Sequence, residues 1–205
     1  MLSLIPLLFS LVIITGQAQD VQTEGPHFKD KEFLLNYFQE TTDNLRNSIA
    51  GLSKEQLQFK PAEDRWSVSQ CVEHIILTEN MLFGMAKEIM EKPANPERKK
   101  DVRFSDEDLI TGMRDRSQKA NTSEELQGEG RYTDPETAIQ DFIAQREEVV
   151  EYIRNTTLEE LRNRISDSPF GATDAYQSFI FIAGHADRHT LQIEEVKSDE
   201  GFPSE

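Results

Sequence analysis

The chain is poor in cysteine, histidine and positive charge. A single cysteine, Cys71, leaves no internal disulfide framework to staple the fold. Only 22 Lys and Arg stand against 38 Asp and Glu, giving a formal net charge of −16, so nucleic acid and anionic membrane surfaces repel the chain. Strand-like alternation never extends beyond a few residues. The longest apolar run, residues 4–15, is shorter than the roughly 18 residues that a transmembrane helix needs.

That run lies in a segment with its own meaning. Residues 1–18 carry no charged side chain, are most apolar over residues 7–14, and end in Gly16-Gln17-Ala18, a small-x-small cleavage pattern. They are expected to be a signal peptide, although only the α-amino group supplies the usual positive charge. No cysteine stands near the cleavage point, which argues against a lipid anchor. Residues 19–205 would then form one domain of a secreted or periplasmic protein. No integral membrane segment would remain.

Four long apolar periodicities predict an all-α fold, a four-helix bundle. Residues 29–49 place Phe33, Leu34, Tyr37, Phe38, Leu45 and Ile49 on one stripe. Residues 67–90 open at a plausible N-cap, Ser67, and stop before Pro93. Residues 135–155 repeat apolar side chains at helical spacing from Ile139 to Ile153, interrupted by Arg146. Residues 174–197 are apolar nearly all round in their first half. Between the second and third helices, residues 91–134 are polar and too many for a tight bundle turn, so they form a long crossover or cap one end. Within them Ser105 to Asp108 resembles a capping box opening a shorter helix over residues 105–119.

Of the four histidines, His185 and His189 lie four apart in the last helix and share one face, where two imidazoles can grip one divalent ion. His74 from the second helix would complete a three-His set with positions left open. The plainer alternatives are a polar surface pair or a His–carboxylate network. A His-Glu-x-x-His zinc-protease helix is excluded, because Ala186 occupies the place of the general base. Asp187 points to nearly the opposite side of the helix and is a poor ligand. Gln192 stays on the histidine face and could hold either a bound water or a ligand's second ring nitrogen.

Trp66-Ser67 opening a helix with His74 after it, the Leu52-to-Trp66 link containing Pro61, and the terminal pattern of His185, His189, Gln192 and Ile193 together resemble the DinB-like (DinB/YfiT-type) four-helix metal-binding family. The resemblance covers residues 28–197. It implies a metal held by His74, His185 and His189, with zinc or nickel as the expected ion. It does not imply one reaction, since members include thiol-dependent S-transferases, a thiol-dependent isomerase, inferred hydrolases and many without known activity.

The remaining candidates have two roles each. Arg146 either pairs with Glu79 on the inward side of the second helix or holds a substrate anion near the metal. Glu73 is rotated away from its neighbour His74, and Trp66 either walls the pocket or anchors its helix. Cys71 could reach the metal region or serve as a small buried hydrophobe. No catalytic residue is assigned. The expected function is an exported, metal-dependent hydrolase acting on a small-molecule substrate, with a non-catalytic metal-binding or structural protein, or a thiol-dependent S-transferase, as alternatives. A homodimer is open to such a chain. Intact mass of the protein exported from its host should correspond to a mature N-terminus at Gln19; a species retaining residues 1–18 would overturn the leader assignment.

Overall fold

The computed structural model describes residues 29–117, 122–168 and 171–204, so the leader assigned above lies outside the described residues. In chain order the helices are α1 (Lys31–Ile49), α2 (Lys54–Gln58), α3 (Val68–Glu91), α4 (Asp106–Arg114), α5 (Pro135–Asn155), α6 (Leu158–Arg162) and α7 (Ala175–Lys197). Each long helix starts where a side chain satisfies its orphan amides. Asp30, Asp134 and Asp174 accept from the third residue of α1, α5 and α7, and Ser67 forms a reciprocal capping box with Gln70 on α3. Such caps contribute about 1 kcal/mol each.

Contacts between the four long helices fix their directions. The Tyr176 hydroxyl donates to the Asp30 carbonyl at one end and Lys197 Nζ to the Ser48 carbonyl at the other, so α1 and α7 run parallel. Gln145 donates to the Ile76 carbonyl, and the Tyr152 and Phe83 rings meet at 5.6 Å, so α3 and α5 are also parallel. Phe83 packs on Phe179, and Lys31 reaches the Arg154 carbonyl, which makes α3 antiparallel to α7 and α1 antiparallel to α5. A parallel α3–α5 pair cannot be joined by a tight turn. The intervening residues therefore travel the length of the bundle, laying α4 across α7 on the way.

Two apolar clusters fill the interior. One gathers Leu34, Phe38, Phe83, Val149, Ile153, Tyr176 and Phe179; the other gathers Leu45, Val72, Ile75, Ile139, Phe142, Ile193 and Val196. Arg146 sits at their junction, its guanidinium 4.9 Å from the Phe38 ring centre and 4.7 Å from that of Phe142. Its Nε and Nη2 donate to the two carboxylate oxygens of Glu79, at 2.9 and 2.6 Å, and Nη1 donates to Thr41 at 2.9 Å. Burial pushes the Glu79 carboxyl upward, and the guanidinium opposes that push. The geometry is thus the ion pair and not a substrate-anion holder, because the fork of Arg146 is already engaged.

Two features differ from the sequence expectation. The shorter crossover helix is Asp106–Arg114 and stops before residue 119; just beyond its end Arg116 grips Glu195 on α7 through Nε and Nη2. Residues Ile165–Ser168 (β1) and Gly171–Asp174 (β2) form a small antiparallel hairpin that adds a minor β element to the helical bundle. Its residues are mostly polar and partly exposed, so no apolar alternation announces it. Arg162 ties this corner together, donating to Asp106 and Asp174 and stacking over Tyr176. Among the described residues no helix is long and apolar enough to cross a membrane.

Arg146 and Glu79 are 2% and 1% exposed, so removing one partner strands the other's charge in the core. Arg146→Ala should lower unfolding stability by about 3–5 kcal/mol, whereas the double replacement Arg146→Met with Glu79→Leu should restore most of that loss. Denaturant midpoints measure both. A loss below about 1 kcal/mol for the single variant would contradict a desolvated pair.

Candidate metal centre

The helical spacing of α7 stacks His185 and His189 toward α3, and the antiparallel packing of α3 against α7 brings His74 between them. The three ring centres lie 4.4 to 5.0 Å apart, and one ligand nitrogen from each lies within 4.8 Å of the others. His74 is buried, while His185 and His189 keep some exposure. Trp66 closes one side: its ring meets His74 edge-on at 4.9 Å and stacks on His189 at 6.1 Å. It walls the cluster as well as anchoring the start of α3.

The hydrogen bonds decide which ring nitrogens remain available. His74 Nδ1 lies 2.7 Å from the Leu126 carbonyl, which can only accept, so the proton sits on Nδ1 and the Nε2 lone pair is free. His189 Nδ1 lies 2.9 Å from Gln192 Oε1, with the same consequence. Gln192 therefore orients a ring, which is one of its two anticipated roles. His185 Nδ1 is buried without a hydrogen-bond partner, an arrangement that costs about 1–3 kcal/mol. Coordination through this nitrogen would offset that cost.

Charge agrees with geometry. Burial holds His185 far below the ordinary imidazole range, aided by the neighbouring His189 and His74. Burial, then His74, pushes His189 down to about 3, and burial lowers His74 as well. All three rings are neutral at pH 7, the form that ligates a metal. The donor set is three neutral nitrogens, and no carboxylate joins the cluster among the described residues. These residues fit a divalent ion with an affinity for imidazole.

Nearby groups have other occupations. Asp187 is buried on the far side of α7 and pairs with Arg114 at 2.9 Å, so it is not a ligand. The Glu73 carboxylate accepts the backbone amides of Gly130 and Arg131 and is not placed as a base. Cys71 is a buried residue of the apolar core, its thiol pushed up to about 12 by burial. Two surface hollows, of about 330 and 640 Å³, lie along the α1/α7 and α1/α5 seams, away from the histidines. Leu126 is the participant that sequence inspection missed. It acts through its backbone carbonyl, which carries no side-chain signal.

Comparison with known proteins gives a consistent picture. A family model described as the DinB superfamily matches residues 37–193. The protein YuaE of Bacillus subtilis (strain 168), itself termed uncharacterized, is 23% identical over 172 residues, covering 80% of this chain and 96% of that protein. The solved structure of YfiT from Bacillus subtilis is described as a probable metal-dependent hydrolase with an unusual four-helix bundle topology. It matches with a TM-score of 0.57 at 15% identity, covering 84% of this chain and 89% of YfiT, and so shares the fold.

The depressed histidines have a measurable consequence. Free histidine side chains take up protons near pH 6.5, while the folded rings resist until far lower pH. The unfolded state therefore binds protons first, and the metal-free protein should lose stability as pH falls from about 6.5 toward 3. Over pH 8 to 6 protons should scarcely compete for the ligands, so the zinc dissociation constant should change by no more than about threefold. Equilibrium dialysis across that range tests this, and a steep weakening through pH 6.5 would show that the rings protonate freely.

Proposed function

This chain belongs to the DinB superfamily, and we propose that within it the protein is a metal-dependent hydrolase using a zinc or nickel ion on His74, His185 and His189. The observation that carries the proposal is the open, charge-neutral donor set: three imidazoles, two of them partly exposed, with no fourth protein ligand among the described residues. Closed structural zinc sites employ four protein ligands, whereas hydrolytic sites keep a position for water or substrate. The description of YfiT as a probable metal-dependent hydrolase supports the same direction.

The protein's own residues prepare the centre in defined ways. The Leu126 carbonyl and Gln192 Oε1 each accept a hydrogen bond from an Nδ1, leaving the Nε2 lone pairs of His74 and His189 available. Trp66 excludes water from the flank it covers. An ion on three neutral nitrogens would supply Lewis acidity, lowering the pKa of water toward about 7 and polarising a substrate carbonyl. With Glu73 engaged elsewhere, no carboxylate among the described residues joins the cluster as a general base. The uncharged, apolar residues 1–18 ending in Gly16-Gln17-Ala18 support an exported protein, and we propose that the activity lies outside the cytoplasm.

Elemental analysis of purified protein should give one ion per chain, and His189→Ala should abolish that stoichiometry. The loaded protein should hydrolyse members of an ester and amide panel, with metal-free protein and His185→Ala inactive. Turnover surviving both controls would place catalysis elsewhere. A loaded protein inert toward the whole panel would leave a metal-binding role without hydrolysis.

A further inference from the structure

Residues 124–132 of the crossover lie along one side of the first turns of α3, and side chains of α2 and α3 hold seven of their backbone groups. Gln70 Nε2 donates to the Gly128 carbonyl at 3.0 Å. The amides of Gly130 and Arg131 donate to Glu73 Oε2 at 2.8 and 3.2 Å. Tyr132 N donates to Ser69 Oγ at 2.9 Å, and Gln58 Nε2 from α2 donates to the carbonyls of Gly130 and Tyr132 at 2.8 and 2.7 Å. The next partner in the same row is His74, whose Nδ1 donates to the Leu126 carbonyl. Residues 69, 70, 73 and 74 thus grip one strap, and the last of them is a candidate ligand.

Two glycines set how closely the strap lies. A Cβ on Gly128 would fall 2.3 Å from the backbone oxygen of Gln70 and 2.8 Å from its Cα, and helical backbone cannot move aside. Gly130 has φ +84°, a conformation costing other residues roughly 1–2 kcal/mol, and this turn aims two successive amides at Glu73. Leu126 itself belongs to a 3-10 turn of three residues, too short to hold its own carbonyl in place.

We infer that Glu73 and Gly128 are positioning residues for the metal centre: by seating the strap on α3 they hold the Leu126 carbonyl against His74 Nδ1 and so keep His74 in the tautomer that offers Nε2. Neither residue touches the ion or the substrate. The inference deepens the metal-dependent reading of this site and rests on it for the affinity readout, while the tautomer readout is independent of any metal. A strap that merely protected the start of α3 would affect stability and leave the imidazole proton where it was.

The experiment is long-range ¹H–¹⁵N spectroscopy of the histidine rings in metal-free protein, paired with zinc affinity by competition. Wild-type His74 should show a single tautomer protonated at Nδ1. Gly128→Ala and Glu73→Ala should convert it to a mixture and weaken zinc binding by about 10–100-fold, with helical circular dichroism retained. Glu73→Gln keeps an acceptor oxygen and should recover most of both signals. If folded Gly128→Ala keeps the wild-type tautomer and zinc affinity, the inference is overturned. Should that variant fail to fold, the Glu73 pair decides: equal behaviour of Ala and Gln variants overturns it too. A wild-type protein that takes up no zinc, yet whose tautomer responds as described, would remove the metal reading and leave the strap's control of His74 standing.

Discussion

The parallel course of α3 and α5 is the constraint from which the rest follows. Two parallel helices oblige the chain to return over the bundle's whole length before the second can begin, and residues 92–134 make that journey. Because the return has to pass over the surface of α7 and α3, it is available to do chemistry there. On the way it lays down α4, whose Arg114 pairs with Asp187, then Arg116, which grips Glu195, and finally the Leu126 carbonyl, which meets His74. A bundle with short antiparallel connections would have had no backbone to spare for this. The topology and the imidazole tautomer are in this sense one fact.

A second consequence concerns polarity inside the bundle. The two apolar clusters do not merge, because the Arg146–Glu79 pair and Thr41 occupy their junction. Burying such a pair is costly unless every donor is used, and here the guanidinium donates to both carboxylate oxygens and to a hydroxyl while its faces rest on Phe38 and Phe142. The histidine cluster has the opposite solution to the same problem. There burial removes charge altogether, keeping three rings neutral and leaving the deeply placed His185 Nδ1 without a protein partner. One polar layer is satisfied within the protein; the other leaves a buried ring nitrogen without a protein partner.

How much was legible in the sequence depends on whether a side chain or a backbone group carries the interaction. The four long helices were readable because their apolar residues repeat at helical spacing and Ser67, Asp134 and Asp174 mark their starts. The His185–His189 pair was readable from its spacing, and Arg146 from its intrusion into an apolar stripe. The hairpin was not, because its pairing runs through backbone amides beneath polar side chains. Nor was the strap, whose decisive groups are the carbonyls of Leu126, Gly128 and Gly130, indistinguishable in a sequence from any others. Trp66 lay between these cases: its residue type suggested packing, but only the crossing of α3 and α7 determines that its ring stacks on His189.

The local and global electrostatics of the chain pull in different directions, and the site depends on both. Around the cluster the donors are neutral, so an ion held there would keep its charge undiminished by anionic ligands, the condition for strong polarisation of a bound group. Across the whole chain the charge is −16. Such a field raises the concentration of cations near the surface and favours capture of a divalent ion at a distance, where screening permits. The same field disfavours anionic molecules until they come close enough for the ion itself to dominate. Arg116 and Arg188, which add to the depression of His189, lie on this short-range side of the balance, with Glu195 holding Arg116 in place. An acidic surface and a neutral donor set are therefore compatible: the first would draw a cation toward the protein, and the second would leave the charge of an ion bound there undiminished.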